Sequence, residues 1–122
     1  MDKPETIKID DVEYVRADKQ NEPAVKLDGM EYVIVRSYAA GVFAGYMESR
    51  EGKEVLMRNV RRIWYWDGAC SISQMAMEGV KAPQNCKFSM PVDKQIITEA
   101  CEIISCTKKA QAILEAVIIW KK

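Results

Sequence analysis

Between Met30 and Asp67 the chain carries three extended segments rich in β-branched and aromatic residues, set off by turn signals, and this spacing constrains the fold most. Asp28-Gly29 precedes the first, at 31–38, and Asp-Gly favours the left-handed backbone of a tight turn. The small residues Ala39-Ala40-Gly41 separate it from a second segment at 42–48. Ser49-Arg50-Glu51-Gly52-Lys53 then leads into a third, at 54–66, and Glu51-Gly52 is a hairpin signal. Three such segments in close succession predict an antiparallel meander. An earlier alternating stretch, 12–17, predicts a short strand, and 18–23 reads as loop.

From Ser71 the hydrophobic period changes. Ile72, Met75, Ala76 and Gly79 recur at helical spacing, with Ser71 placed to cap the helix and Gly79 to end it. The stretch 82–92 reads as loop with a short extended piece at 86–90, and 95–105 as a strand. Thr107 predicts the cap of a second helix with Ala110, Ile113, Leu114 and Val117 on one face. The final Ile-Ile-Trp-Lys-Lys fits a short strand or a helix tail. The fold class expected is α+β: an N-terminal antiparallel meander with two helices late in a single domain spanning 1–122.

Charge narrows the partners. Eighteen basic residues balance eighteen acidic ones, which disfavours nonspecific DNA binding or an anionic membrane surface as partner. The first ten residues lack the apolar core of a signal peptide and no run reaches transmembrane length, so a cytoplasmic location is expected. Cys70, Cys86, Cys101 and Cys106 show no zinc-like spacing, and histidine is absent. Reduced thiols, no metal and no cofactor are the expectation, and the usual general base at neutral pH is missing.

The candidate chemistry lies in the middle third. Arg36, Ser37, Tyr38, Ala39 and Gly41 form a strand end and small-residue turn whose backbone N–H groups could approach phosphate oxygens. A plain turn between strands explains the same residues. Three of the six arginines, Arg58, Arg61 and Arg62, fall within five positions, and the guanidinium fork suits phosphate. Strict alternation would put Arg58, Val60, Arg62, Trp64 and Trp66 on one face, with Arg61 and Tyr65 on the other. Two arginines on a dry face would need partners, whereas a wet pocket or a subunit interface uses both residue types. Ordinary ion pairs to Glu48, Glu51 or Glu54 are the plainer account of the arginines, and burial in the core that of Trp64. Trp66 fits core or pocket rim equally. Gly68, Ala69 and Ser71 sit where a strand gives way to a helix, a place that suits either an anion or a simple cap.

The runs "EYVIVRSYAAGVFAGYM", "VRRIWYWDGACSISQMAMEGVK" and "EIISCT" resemble a family of small phage and prophage proteins, the first type of Thoeris anti-defence sponge. The block "IWYWDGACS" is the most specific part of the resemblance, which spans nearly the whole domain. It implies a non-enzymatic protein that captures the cyclic ADP-ribose isomer made from NAD by a bacterial immune TIR enzyme, acting in the cytoplasm of the infected or lysogenic host. It also implies dimers or higher oligomers, up to a hexamer, with ligand recessed between subunits; some members sequester cyclic oligonucleotides as well. The ligand is expected on Arg36 to Gly41, Arg58 to Arg62 and Trp66 to Ser71, with Phe88 as a second stacking surface. Two rivals stand beside this reading. One is a small enzyme cleaving a nucleotide signal, with Asp67 and Glu78 as acid and base. The other is a phage assembly module using Trp64 and Trp66 as an interface.

Overall fold

The computed structural model describes the strands Thr6–Ile9 and Val12–Val15 and residues 22–120. These two strands, β1 and β2, pair antiparallel as a separate ribbon. Most of the loop expected at 18–23 lies outside the described residues, as do 16 and 17 of the first expected strand. Asp28 and Gly29, both at positive φ, make the tight turn between Leu27 and Met30. Then come β3 (Glu31–Ser37), β4 (Gly41–Glu51) and β5 (Glu54–Tyr65), the antiparallel meander that the turn signals require. After α1 (Ile72–Glu78) and a 3-10 turn at Pro83–Asn85 come β6 (Lys87–Phe88), β7 (Val92–Ile97), β8 (Ala100–Ser105) and α2 (Lys108–Glu115). The order is β6-β5-β4-β3-β8 with β7 also on β5, an α+β architecture with its two helices late.

Both helix caps follow from their residues. Ser71 Oγ accepts the Gln74 N–H, Gly79 at φ 77 ends α1, and Thr107 Oγ1 accepts the Ala110 N–H. The single strand expected at 95–105 is instead two strands joined by a corner at Thr98-Glu99. The C-terminal segment adds one parallel bridge, Ile119 to Phe88.

The meander works on two faces. Tyr32, Ile34, Ala44, Tyr46 and Ile63 pack beneath α1 and α2 against Met75, Ala76, Phe88, Ala110, Leu114 and Val117. Val33, Val35, Phe43, Val55, Met57, Val60 and Ile97 form a second core on the opposite face. Among the described residues, this second core is lined by the strands of the sheet itself. The corner binds both ends of the meander: Tyr38 N–H donates to Glu99 O (3.0 Å) and Ala100 N–H to Lys53 O (2.9 Å). The tip of the β4–β5 hairpin and the end of β3 therefore meet at the corner, and the sheet curls into a tube. Each large side chain inside contributes about 1.5–3 kcal/mol by leaving water.

Curling of this kind needs bulges, which bend a strand and raise its twist. The first sets Asn59 and Val60 against Gly45, where the register jumps from Ala44↔Arg61 to Tyr46↔Arg58 and Asn59 takes φ 48. The second comes between Met47 and Ser49, which face Met57 and Leu56. A Cβ on Gly45 would lie 2.7 Å from Val60 Cα, a backbone atom that cannot move aside alone. Gly45→Ala is therefore expected to lower stability by about 1–3 kcal/mol, as overpacking does, read as an earlier thermal melt. An unchanged melt would show that the bulge can open.

Candidate functional site

The bulge decides where the arginines go. Paired residues of an antiparallel ladder share a face, so Arg58 (with Tyr46) and Arg61 (with Ala44) lie on the helix-bearing side, and Arg62 (with Phe43) on the tube side. The expected common face of Arg58 and Arg62 is thus corrected: strict alternation holds only without an inserted residue. Arg58 is half-exposed, pairing with Glu48 at 2.9 Å and donating from Nε to Asp93 O. Arg61 is 5% exposed; its Nε and Nη1 donate to Ser89 O and Leu114 O, and its guanidinium lies over the Phe88 ring. Burial depresses its pKa, while the Tyr32 hydroxyl nearby acts the other way. The Arg62 guanidinium stacks over Phe43 at 4.9 Å.

Two further expectations are overturned by packing. Phe88 is fully buried in the helix-side core and presents no open ring to a ligand. Trp64, expected in the core, is 52% exposed and meets Trp120 edge to face. Trp66 is the half-buried one, packed on the helix-side core with its indole N–H on Ala69 O. Gly68 serves a close chain crossing: a Cβ there would sit 2.5 Å from Lys81 N, and its carbonyl accepts that N–H. Ala69 is also half-buried on the helix-side core. The start of α1 is occupied by its own residues, since Ser71 Oγ takes the Gln74 N–H and Gln74 Oε1 takes the Cys70 N–H. Asp67 holds the Asn85 amide, while Glu78 is exposed at the far end of α1.

What the fold brings together is the first part of the predicted set, at the mouth of the tube. Ser37 is 3% exposed and pins this region, its hydroxyl donating to Thr98 O (2.7 Å) and accepting the Ala40 N–H. Ala39 and Gly41 are exposed in the turn, where Gly41 adopts φ 103. Tyr38 stands 88% exposed on that pinned backbone. Beside it opens a recess of about 290 Å³ lined by Tyr38, Lys53, Glu99, Ala100 and Cys101. A second recess of about 160 Å³ shares Ala100 and Cys101 with it and adds Arg50, Glu102 and Ile103. Arg36 borders this region, its guanidinium 3.9 Å from Glu102. Its pKa is raised, first by the Cys101 side chain beside it and then by the Glu102 charge.

Lys53, Arg50, Glu99, Cys101 and Glu102 escaped sequence reasoning. The hairpin tip around Gly52 was a visible signal for Arg50 and Lys53. The corner carries no glycine or proline, so nothing local marked Glu99. A larger cleft of about 530 Å³ lies between α2 and Val25, and three of its polar side chains, Gln111, Tyr46 and Glu115, form one hydrogen-bonded chain. Gln111 holds the Val25 backbone and the Tyr46 hydroxyl, and Tyr46 donates to Glu115. Burial first, then that bond to Glu115, pushes the Tyr46 hydroxyl up to about 12.

Two measurements check this placement. Arg61→Lys loses a two-point grip on buried carbonyls and is expected to cost about 1–3 kcal/mol of stability, whereas Arg58→Lys, exposed, stays within about 0.5 kcal/mol. Equal melts for the two variants would contradict the burial of Arg61. Thiol labelling of the native protein should modify exposed Cys70 and Cys101 rapidly. Buried Cys106, its thiol pushed up to about 12 by burial, should react only on unfolding.

No curated protein and no solved structure matches the chain. Residues 30–114, which hold the meander, the corner, both tube-mouth recesses and most of α2, match the family described as a domain of unknown function, DUF6948, and the chain belongs to that family.

Proposed function

We propose that this chain is a binding protein that captures a small anionic nucleotide signal, a cyclic ADP-ribose isomer, at the mouth of its tube and holds it unchanged. One observation carries this reading: Tyr38, 88% exposed, rests on a turn fixed by Ser37 and by the Glu99 carbonyl, next to a recess holding Lys53. On a fixed backbone the ring has only its own two side-chain torsions to lose when a base stacks on it, and such a stack is worth about 1–3 kcal/mol. Lys53, Arg50 and Arg36 supply cations for a pyrophosphate within the same stretch of surface.

Retention strong enough to silence a signal requires roughly nanomolar Kd, about −12 kcal/mol. One stacked base and a few charged hydrogen bonds at about 1.5–3 kcal/mol each approach that only when the ligand is well enclosed. The recess of about 290 Å³ is open to solvent and small for a cyclic dinucleotide-sized ligand. A second copy of the chain is the cover we propose, giving a homodimer or a higher oligomer. Exposed Trp64, Tyr65, Ile118, Ile119 and Trp120 give such an assembly apolar surface to bury. The chain would then act in the cytoplasm of the infected bacterium, and a cyclic oligonucleotide would be a second class of ligand. The same aromatic patch favours a second reading, an assembly module in which Trp64 and Trp120 form a protein interface and no nucleotide binds.

Native mass spectrometry against cyclic ADP-ribose isomers and cyclic oligonucleotides separates the two. The sponge reading expects a complex from which boiling releases the isomer chemically intact; ADP-ribose or AMP in that supernatant would point to an enzyme. Tyr38→Ala is expected to weaken binding by about 1–3 kcal/mol while the thermal melt stays put. A full-affinity Tyr38→Ala variant would remove the base from this turn.

A further inference from the structure

Glu99 occupies a backbone conformation that its side chain does not favour. Its φ is 55, in the left-handed region, where a residue with a Cβ is uncommon and only short side chains such as Asn or Asp find local hydrogen bonds that help. Hydrogen bonds at three successive residues force the geometry: Thr98 O accepts from Ser37 Oγ, Glu99 O from the Tyr38 N–H, and the Ala100 N–H donates to Lys53 O. None of the three bonds uses the Glu99 side chain. Glycine would satisfy all of them without the penalty of a Cβ. Strain of this kind persists where the surroundings over-determine it and is concentrated at ligand sites.

Glu99 lines the recess shared with Tyr38, Lys53 and Cys101. A carboxylate there opposes a purely anionic ligand, since like charges at close range repel. It suits a ligand that presents phosphate to the cations and uncharged hydrogen-bond donors a few ångströms away, because a carboxylate is an acceptor only. A ribose vicinal diol provides two adjacent O–H donors, which match the two oxygens of one carboxylate.

Resting on the proposed nucleotide site, we infer that Glu99 is its specificity-determining residue, accepting the ribose hydroxyls of the ligand beside a phosphate held by Lys53. The residue thus makes the pocket select ribonucleotides over other phosphorylated compounds. The αL strain is the structural trace of that choice.

The test uses the full chain, a cyclic ADP-ribose isomer, its deoxy analogue lacking one hydroxyl of the free ribose diol, and inorganic pyrophosphate, with calorimetry and thermal melts. Glu99→Gly relieves the left-handed strain and is expected to raise Tm by a few degrees while weakening the isomer about tenfold or more, the loss of a charged hydrogen bond. Glu99→Gln keeps the shape and the strain, so it should leave Tm unchanged yet lose affinity for the isomer and discriminate less against the deoxy analogue. Pyrophosphate should bind either variant at least as well as the unaltered protein. Unaltered isomer affinity in both variants, or equal loss for the isomer and its deoxy analogue, overturns the role of Glu99 while the nucleotide site stands. The second of these outcomes would assign the carboxylate to a base amine. A lower Tm for Glu99→Gly also overturns it, by making the carboxylate structural. If the unaltered protein binds no nucleotide probe, the proposed function falls, and this inference with it.

Discussion

The structure depends on two residues of one strand sharing the space opposite a single glycine. Asn59 and Val60 stand against Gly45, and Gly45 can have no side chain because Val60 Cα would lie 2.7 Å from its Cβ. That one inserted residue lets β5 serve two cores. Before it, Val55 and Met57 point into the tube; after it, Val60 still does, while Arg61 and Ile63 are handed to the helix side. With strict alternation Val60 would have moved to the helix side, and one core would lose a buried aliphatic residue. The positive φ of Asn59 is the local cost, and asparagine is among the residues that bear it best.

The bend produced by the bulges carries the hairpin tip to the Thr98–Ala100 corner, and the corner locks it to the end of β3. Closure therefore does two things at once. It seals an apolar core whose seven residues are at most 2% exposed. It also gathers three backbone segments, remote in sequence, at one rim: the Tyr38 turn, the Lys53 tip and the Glu99 corner. Side chains on such a rim sit on backbone fixed by long-range hydrogen bonds, so a loop position acquires the rigidity of a strand.

Legibility in the sequence follows the range of the forces involved. Asp28-Gly29, Glu51-Gly52, Ser71, Gly79 and Thr107 act within a few residues, and the turns and caps they predict are where the structure has them. The two-face arithmetic of 58–66 failed because a bulge depends on a partner strand; Gly45 and Asn59 were its marks. Trp64, expected in the core, stands exposed. Trp66, which fitted core and rim equally, packs down on the core because β5 ends at Tyr65 and alternation no longer governs it. Of the candidate site, Arg36 to Gly41 was legible as a small-residue turn at a strand end. Its neighbours were not, because Lys53 and Glu99 reach Tyr38 only through closure.

The same long-range origin sets how any ligand at the rim couples to folding. Arg61 shows the alternative use of a guanidinium: stripped of water, its bonds go to carbonyls at Ser89 and near the C-terminal end of α2, where the helix dipole helps to hold its charge. It stabilises whether or not a ligand is present. Arg36, Arg50 and Lys53, by contrast, remain in water and contribute little to the free fold. A ligand spanning Tyr38, Lys53 and Glu99 would tie the turn, the hairpin tip and the corner together, three segments that separate on unfolding. Such a ligand stabilises the native state by mass action, about 4 kcal/mol at a thousandfold excess over Kd. Contacts made by a ligand at that rim and the contacts that close the tube would then reinforce one another.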